Sequence, residues 1–292
     1  MIENRLLQYF LVIAREQNMT KAAASLHISQ PALSKQMALL EEQLGVKLFK
    51  RTNKNTTLTD DGAAFRVRAQ EMMDMMNKLE SEFSKTSGDI SGDIWLGCGE
   101  TYVMEEISKI FKEIQSEHPG IHFHIFSGNA ESVLDRLDKG MLDFGLLLGA
   151  SPQEKYDYRY LKYQDTFGIL MPSDHPLAEK DFLTVEDIRP YPLIVSAQIP
   201  GNSEKNGDTV KEIYSLNVAG TYNLITNVTF MVEQGLGIAL CLDKLINTNG
   251  RNLTLRPLVP PIELDTCIVT KKYAVLTKAA RLFLEKCERL AR

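Results

Sequence analysis

The chain has 292 residues, of which 44% are hydrophobic and 24% charged, and its formal net charge at pH 7 is −5. This composition excludes a disordered protein, and the length favours two or more domains. No run of about eighteen apolar residues occurs, and charges interrupt the apolar N-terminal stretch, which argues against a membrane span and a signal peptide. We therefore expect a soluble, unprocessed cytoplasmic protein.

The charge is unevenly distributed along the chain. Residues 1–58 contain eight basic and four acidic residues, a net charge of +4, so the remainder carries −9. This asymmetry indicates an N-terminal module that faces nucleic acid, attached to a body with a different task.

Three helices are predicted at the N-terminus. Apolar residues at helical spacing indicate the first helix over residues 3–16. Thr20 is the expected N-cap of a short second helix, and Ser29 that of a third helix, which has Pro31 in its first turn and ends at Gly45.

The third helix has two faces. Apolar residues point to the core, namely Leu33, Met37, Leu40 and Leu44, whereas Gln30, Ser34 and Lys35 lie on another face. A short helix, a tight turn and a longer helix that begins with polar groups are typical of a helix-turn-helix. Residues 46–59 then predict two short strands, a wing that could bring Lys50, Arg51 and Lys54 to DNA phosphates. A three-helix bundle with an ordinary hairpin is the alternative.

A dense set of positions between residues 10 and 62 carries a family resemblance. They are Phe10, Ala22, Ala23, Leu26, Ser29, Gln30, Pro31, Ala32, Ser34, Leu40, Glu41, Leu44, Gly45, Leu48, Phe49, Arg51, Leu58, Thr59 and Gly62. On these positions the segment resembles the winged helix-turn-helix of the LysR-type transcriptional regulators. The resemblance implies double-stranded promoter DNA as a partner, with contacts from Thr20, Lys21, Ser29, Gln30, Pro31, Ala32, Ser34, Lys35, Lys50 and Arg51. Lys35 replaces the commoner arginine, so a phosphate or single-acceptor contact is expected there.

A long helix should follow the wing, with Thr59 as its N-cap and two acidic residues in its first turn. Its apolar residues alternate at spacings of four and three, which is a heptad seam: Phe65, Ala69, Met72, Met76, Leu79 and Phe83. So narrow a seam favours pairing with another helix, while packing on its own domain is the alternative. The resemblance implies pairing between subunits, in a homodimer or homotetramer. The composition of residues 84–93 predicts a flexible exit to the next domain.

The body of the chain alternates predicted strands and helices, which indicates a parallel sheet with crossover helices. Three motifs resemble the two-lobed effector domain of the same regulators, a fold similar to periplasmic binding proteins: "HPG", "LDKGMLDFGLL" and "VEQGLGIAL". The predicted domains are therefore a winged helix-turn-helix over residues 1–58, a linker helix over 59–87 and an effector domain over 88–292. Its lobe I would comprise residues 88–161 and 268–292, and its lobe II residues 162–267.

Ligands of such folds bind at the carboxyl ends of strands, between the lobes. The resemblance implies a small-molecule effector at Gly99, Glu100, Thr101, Tyr102, Gly128, Asn129, Leu148, Gly149, Phe167, Ser196, Gln198, Thr226 and Asn227. Free N–H groups at a helix start near Thr101 would suit an anion, so an organic acid is favoured over an amine-bearing or neutral ligand. Glu100 opposes that preference unless it turns outward or is neutralised.

Competing sites are less well supported. His122 and His124 share a strand face, but His118 belongs to a turn and the sequence gives no carboxylate an evident position near them, so no metal is expected. No catalytic motif or cofactor-binding loop occurs. The four cysteines lack CxxC spacing, which argues against zinc and disulfides and predicts reduced, mostly buried thiols: Cys98, Cys241, Cys267 and Cys287. The resemblance also argues against a redox switch, because residues 196–208, where the peroxide-sensing members of the family carry their cysteine pair, contain none.

The sequence therefore predicts a DNA-binding transcriptional regulator without enzymatic activity, controlled by a small-molecule effector, with RNA polymerase as a further partner. Two alternatives stay open at this stage. One is a solute-binding or enzymatic α/β protein with an accessory DNA-binding head, and the other is a DNA-binding protein whose cleft is vestigial.

Overall fold

The computed structural model describes residues 2–51, 55–83, 90–198 and 207–292, and for residues 51 and 81–83 only the backbone. The chain forms two compact units, Met1–Ser84 and Lys85–Arg292. The predicted boundaries at residues 58 and 87 differ from this division, because the long helix packs with the head, and they remain predictions. None of the helices in the described ranges is long and apolar enough to cross a membrane.

The first unit is a winged helix-turn-helix followed by a long helix. Its elements, in chain order, are α1 (Asn4–Glu16), α2 (Met19–Ser25), α3 (Gln30–Leu44), β1 (Phe49–Arg51), β2 (Thr56–Leu58) and α4 (Asp60–Phe83). β1 and β2 pair antiparallel, as expected for a wing. The tip of the wing, which includes Lys54, lies outside the described residues.

The ends of α3 follow from local chemistry. The Ser29 hydroxyl accepts a hydrogen bond from the Ala32 N–H at 3.3 Å, and Pro31 lies in the first turn, where a missing N–H costs nothing. Gly45 adopts a left-handed conformation, with φ of 70°, immediately after the last helical residue. The predicted cap and stop of this helix are therefore confirmed.

The cap of α2 differs from the prediction. The Asn18 side chain accepts hydrogen bonds from the N–H groups of Thr20 and Lys21, both at 3.0 Å. Thr20 lies inside the first turn, so assigning it as the N-cap was wrong. Asn is as good a cap as Ser or Thr, and α2 begins at Met19, two residues earlier than Thr20 as a cap would have allowed.

The core of the first unit is formed by one face of each helix. Phe10 is fully buried, and its ring centroid lies 5.2 Å from that of Phe49 and 4.9 Å from that of Phe65. Leu33, Met37 and Leu40 are buried as predicted, whereas the fourth residue of that face, at the C-terminal end of α3, is only half-buried: Leu44.

The start of α4 is fixed to the wing. The Thr59 hydroxyl accepts from the Gly62 N–H at 2.9 Å and donates to the Lys47 carbonyl at 2.6 Å, which confirms Thr59 as a cap. A Cβ added to Gly62 would lie 2.1 Å from the Leu48 carbonyl oxygen, so only glycine allows this approach.

The predicted seam of α4 divides into two parts. Phe65 and Ala69 pack against the core of their own head. Further along, Met72, Met76 and Leu79 are exposed, and the side chain of Phe83 lies outside the described residues. Packing on its own domain therefore describes the start of the helix, and pairing with another helix stays a prediction for its later turns.

The second unit is an α/β structure. Its strands are β3 (Gly92–Cys98), β4 (Ile121–Ser127), β5 (Phe144–Leu148), β6 (Tyr156–Met171), β7 (Leu193–Ser196), β8 (Val218–Tyr222), β9 (Ile238–Leu242), β10 (Thr254–Pro257) and β11 (Glu263–Lys271). Its helices are α5 (Met104–Glu117), α6 (Ala130–Asp138), α7 (Val185–Ile188), α8 (Gly207–Tyr214), α9 (Thr226–Glu233) and α10 (Lys278–Cys287). The strands lie in the order β4-β3-β5-β11-β6-β9-β7-β8, with β10 also on β6.

Two long strands connect the lobes. β3, β4 and β5 are parallel to one another in lobe I, and β7, β8 and β9 are parallel in lobe II. β6 and β11 pair antiparallel, and β6 continues from β11 in lobe I to β9 in lobe II. The sheet is thus mixed instead of wholly parallel, because the chain must pass twice between the lobes.

Candidate functional site

The predicted DNA contacts lie at neighbouring helix starts of the first unit. On α2 and α3 the side chains of Thr20, Lys21, Ser29, Gln30, Pro31, Ala32 and Lys35 are exposed, and Ser34 is half-buried. The Ser29 hydroxyl is used as the cap of α3, so its first role is structural. In the wing, Lys50 is exposed, whereas the side chain of Arg51 lies outside the described residues.

Glu41 holds the wing against α3, a role that the sequence did not reveal. Its carboxylate is 5% exposed and accepts hydrogen bonds from the N–H groups of Leu48 at 2.9 Å and Phe49 at 3.2 Å, and from the Lys47 ammonium at 2.8 Å. Burial raises its pKa, but these hydrogen bonds outweigh burial, so the pKa of Glu41 lies below its ordinary value. Glu41 is one of the positions that carry the family resemblance, but only the fold shows its hydrogen-bond partners.

The second unit contains a cavity of about 600 Å³ at the carboxyl ends of strands from both lobes. Nine of the predicted effector residues line it: Gly99, Glu100, Gly128, Asn129, Leu148, Gly149, Phe167, Ser196 and Gln198. The volume lies within the range of small-molecule sites. Strand ends and loops from Gly99 to Leu264 are thereby brought to one cleft.

The other four predicted effector residues do not line the cavity. Tyr102 lies with its ring under the Lys244 ammonium, 4.7 Å from the ring centroid, and its hydroxyl donates to the Gln164 carbonyl at 3.3 Å. Thr226 and Asn227 are exposed residues in the first turn of α9. Thr101, the fourth, is buried below the cleft.

The helix start near Thr101 does not offer the free N–H groups that were expected to attract an anion. The Val103 N–H donates to the Thr101 hydroxyl at 3.1 Å, and those of Met104, Glu105 and Glu106 donate to carbonyls one turn back. That expectation was therefore wrong, because the turn satisfies its own donors.

The hydroxyl of Thr101 is directed at a carboxylate of the chain. It donates to Asp165 Oδ2 at 2.7 Å, and the Thr266 hydroxyl donates to the same oxygen at 3.1 Å. Asp165 is fully buried on β6, where that strand passes between the lobes. Burial raises the pKa of Asp165, and these hydroxyls oppose the rise.

Glu100 connects the two lobes across the cleft. Its carboxylate Oε2 accepts a hydrogen bond from the Ile225 N–H at 2.6 Å, and its Oε1 lies 3.4 Å from the Thr226 hydroxyl oxygen. Ile225 is the N-cap of α9 and has no polar side chain of its own to cap the helix. From the sequence, this carboxylate was expected either to turn outward or to be neutralised. In the structure it binds the N-terminus of α9.

Two tyrosines hold the lobe II wall of the cleft. The Tyr214 hydroxyl donates to the carbonyls of Ser196 at 2.9 Å and Gln198 at 3.1 Å, and burial raises the pKa of Tyr214 to about 12. The Tyr222 hydroxyl donates to the Leu240 carbonyl at 2.7 Å. The hydroxyls therefore act as structural donors.

The histidines and cysteines have structural surroundings. His124 Nε2 lies 2.8 Å from the Asp93 carboxylate, and its ring is stacked on Trp95 with centroids 4.0 Å apart. Across the described ranges, no group of three metal-ligating side chains converges. All four cysteines are free and buried, as predicted, and burial raises their pKa, to about 11 for Cys98 and about 12 for the other three.

Comparisons with known proteins agree with both parts of this description. Residues 4–63 match the model of the bacterial regulatory helix-turn-helix proteins of the lysR family, and residues 87–292 match the LysR substrate binding domain. An uncharacterised HTH-type transcriptional regulator of Bacillus subtilis, YvbU, is 27% identical, over 97% of each chain.

Two solved structures of full-length regulators resemble the whole chain. HinK, a LysR family transcriptional regulator from Pseudomonas aeruginosa, is 26% identical, with a TM-score of 0.58, and the match covers 100% of this chain and 99% of HinK. CbnR, in a complex with its target DNA, has a TM-score of 0.79 at 18% identity, covering 99% of this chain and 100% of CbnR, and therefore shows the shared fold.

Proposed function

This chain belongs to the LysR family of DNA-binding transcriptional regulators, and we propose that the start of α3 reads its DNA while a small-molecule effector in the cleft controls it. The observation that carries the proposal is that both halves of the chain match this family and each contains a suitable site. We propose that the protein acts in the cytoplasm, where its DNA lies, and has no catalytic activity.

The start of α3 suits entry into a major groove. Gln30 can pair with the edge of an adenine, and Lys35 supplies a point charge suited to a phosphate or to one acceptor of a guanine. We propose that Lys50, which is exposed in the wing, contacts the sugar-phosphate backbone, and that Arg51, whose side chain lies outside the described residues, does the same. The local charge of +4 is modest, so specificity has to come from base contacts and from the pairing of two heads.

A retention assay with the full chain tests the DNA site. DNA from upstream of its own gene and random DNA of equal length are compared across a series of salt concentrations. Lys35→Ala should weaken binding to both and lower the salt slope by about one, because one phosphate contact is lost. Gln30→Ala should cost about 1–3 kcal/mol on the specific DNA only.

Matched controls are available on exposed parts of the described chain. Gln43→Ala changes the far end of α3, and Lys112→Ala changes a helix of the effector unit. Neither substitution should alter retention. Equal retention on random and specific DNA, unchanged by Gln30→Ala and Lys35→Ala, would contradict the proposed reading surface.

Control by an effector is supported by the cleft itself. Residues of both lobes line one cavity, so a ligand that touches both changes the energy of their relative positions. We propose that this change reaches the DNA through a homo-oligomer in which exposed residues of α4 pair. A ligand that binds the native cleft must also raise the melting temperature of the chain.

A further inference from the structure

The charged side chains around the cavity are mostly acidic. Glu100, Glu131, Asp135 and Asp138 line it, and Lys155 is the one basic residue that does so within the described part of the chain. The Lys155 ammonium is already paired with the Asp138 carboxylate, at 2.5 Å. The Asp135 carboxylate is also paired, with the Lys139 ammonium at 2.8 Å, so Glu100 and Glu131 supply the net negative charge of the wall. Among the described lining residues, no free cation is available to receive an anionic ligand.

The N-terminus of α9 is where an anion would otherwise gain most. Unpaired N–H groups and the helix dipole favour negative charge at that position. Here the Glu100 carboxylate, which comes from the opposite lobe, already accepts the Ile225 N–H at 2.6 Å. An anion at this helix start is thus already supplied by the chain, and a ligand carboxylate placed there would be repelled by it.

Glu100 retains capacity for a donor. A carboxylate has about four acceptor positions, and one of them is used by the Ile225 N–H. Its second oxygen is 3.4 Å from the Thr226 hydroxyl, at the limit of a hydrogen bond. Nearby, apolar and aromatic surface lines the same cavity, including Leu148, Phe167 and Tyr222.

We propose that the effector is an organic cation, with a positively charged nitrogen that binds the Glu100 carboxylate and an apolar body in the cleft. This inference rests on the proposed effector function of the cleft and adds the chemical class of the ligand. It reverses the preference for an organic acid that the sequence suggested. The N–H groups at the helix start near Thr101 are satisfied within their own turn, and the start of α9 already carries the negative charge of Glu100.

The test uses three probes of equal length with the full-length protein: hexylammonium, hexanoate and hexanol. Melting temperature and calorimetric affinity are measured for each at low ionic strength, since salt screens the charges of an open cleft. Hexylammonium should raise the melting temperature and bind about tenfold more tightly than hexanol, and hexanoate should be the weakest of the three.

Glu100→Gln removes the charge and keeps an oxygen that can accept the Ile225 N–H. The advantage of hexylammonium over hexanoate should then fall about tenfold. Glu131→Gln changes an exposed position on the cavity wall and should reduce the affinity ratio of hexylammonium to hexanoate by a smaller factor. This second variant tests the proposal even if Glu100→Gln folds poorly. Glu285→Gln, on an exposed face of α10 away from the cavity, should leave the ratio unchanged.

Two results would overturn the inference. One is hexanoate binding at least as tightly as hexylammonium, and the other is a ratio that neither Glu100→Gln nor Glu131→Gln changes. Tight hexanoate binding would leave the effector site standing and reject only its charge class. If none of the three probes binds, the inference fails, and a metabolite screen that also yields no stabilising ligand would then reject effector control itself.

Discussion

At the scale of single residues, two buried or bridging carboxylates organise this protein. Glu41 joins α3 to the wing, and Glu100 joins lobe I to the start of α9. Each accepts backbone N–H groups that would otherwise lack a partner, and a buried donor without a partner costs more than a hydrogen bond contributes. Such residues therefore act through the backbone groups that they satisfy.

Glu41→Ala should destabilise the head strongly. Two buried N–H groups, those of Leu48 and Phe49, would lose a charged acceptor, and the expected loss is about 2–3 kcal/mol in the free energy of unfolding. Chemical denaturation with a signal from the head measures it. The exposed neighbour gives the control, since Glu42→Ala should change stability by less than about 0.5 kcal/mol.

The contribution of Glu41 should also depend on pH. Its pKa in the folded state lies below the ordinary value of 4.5, so its stabilisation is fully present above that value and is lost as the pH falls through the folded pKa. The stability difference between the wild type and Glu41→Ala should therefore shrink in acid. A difference that is constant from neutral to strongly acidic pH would contradict this role of the carboxylate.

At the scale of elements, α4 carries out two tasks along its length. Its first turns pack on their own head through Phe65 and Ala69, and its later turns expose Met72 at 56% and Leu79 at 51%. An exposed apolar row at heptad spacing on a long helix is typical of a pairing surface. The helix thus connects the fold of the head to its proposed pairing.

Met76→Lys combined with Leu79→Lys should weaken self-association of the full chain, because two charges would be placed in an apolar helix interface. Analytical ultracentrifugation over a concentration series should show the dissociation constant rising by about a hundredfold or more. Val67→Lys is the control, since Val67 is also exposed but lies about half a turn away around the helix from Met76. Equal self-association of both variants would reject the seam.

At the scale of the whole molecule, the chain contains two units with separate cores. The cluster around Phe10 lies entirely in Met1–Ser84, and the other hydrophobic clusters of the described chain lie in Lys85–Arg292. A unit that buries its own core can unfold by itself. The proposed DNA-reading site and the proposed effector site therefore lie in units with separate hydrophobic cores.

Calorimetry should accordingly resolve two unfolding transitions. Glu41→Ala should lower only the transition of the head, by roughly 4–8 °C for each kcal/mol lost in a unit of this size. A cleft ligand should raise only the transition of the second unit. A single transition that moves as a whole with either change would show that the units unfold together.

Local signals in the sequence predicted much of the fold. The cap at Ser29, the stop at Gly45 and the apolar spacing of the helices depend on neighbours within a few residues, so they could be identified without coordinates. Thr20 was misassigned as a cap because Asn18 offers the same chemistry two residues earlier. Nine of the predicted effector residues line one cavity. The family resemblance could identify them because it assigned them to the ends of strands, which meet at the cleft.

The sequence by itself determined the order of elements, the division of charge between head and body, and the family. These follow from the spacing of apolar residues, the positions of charged residues and the residues shared with the family. Only the tertiary structure decided the partners of charged groups far apart in the chain. Glu100 meets Ile225 across the cleft, and Thr101 meets Asp165 below it. Such pairs depend on how strands and helices are arranged in space, and that arrangement sets the charge of the cleft.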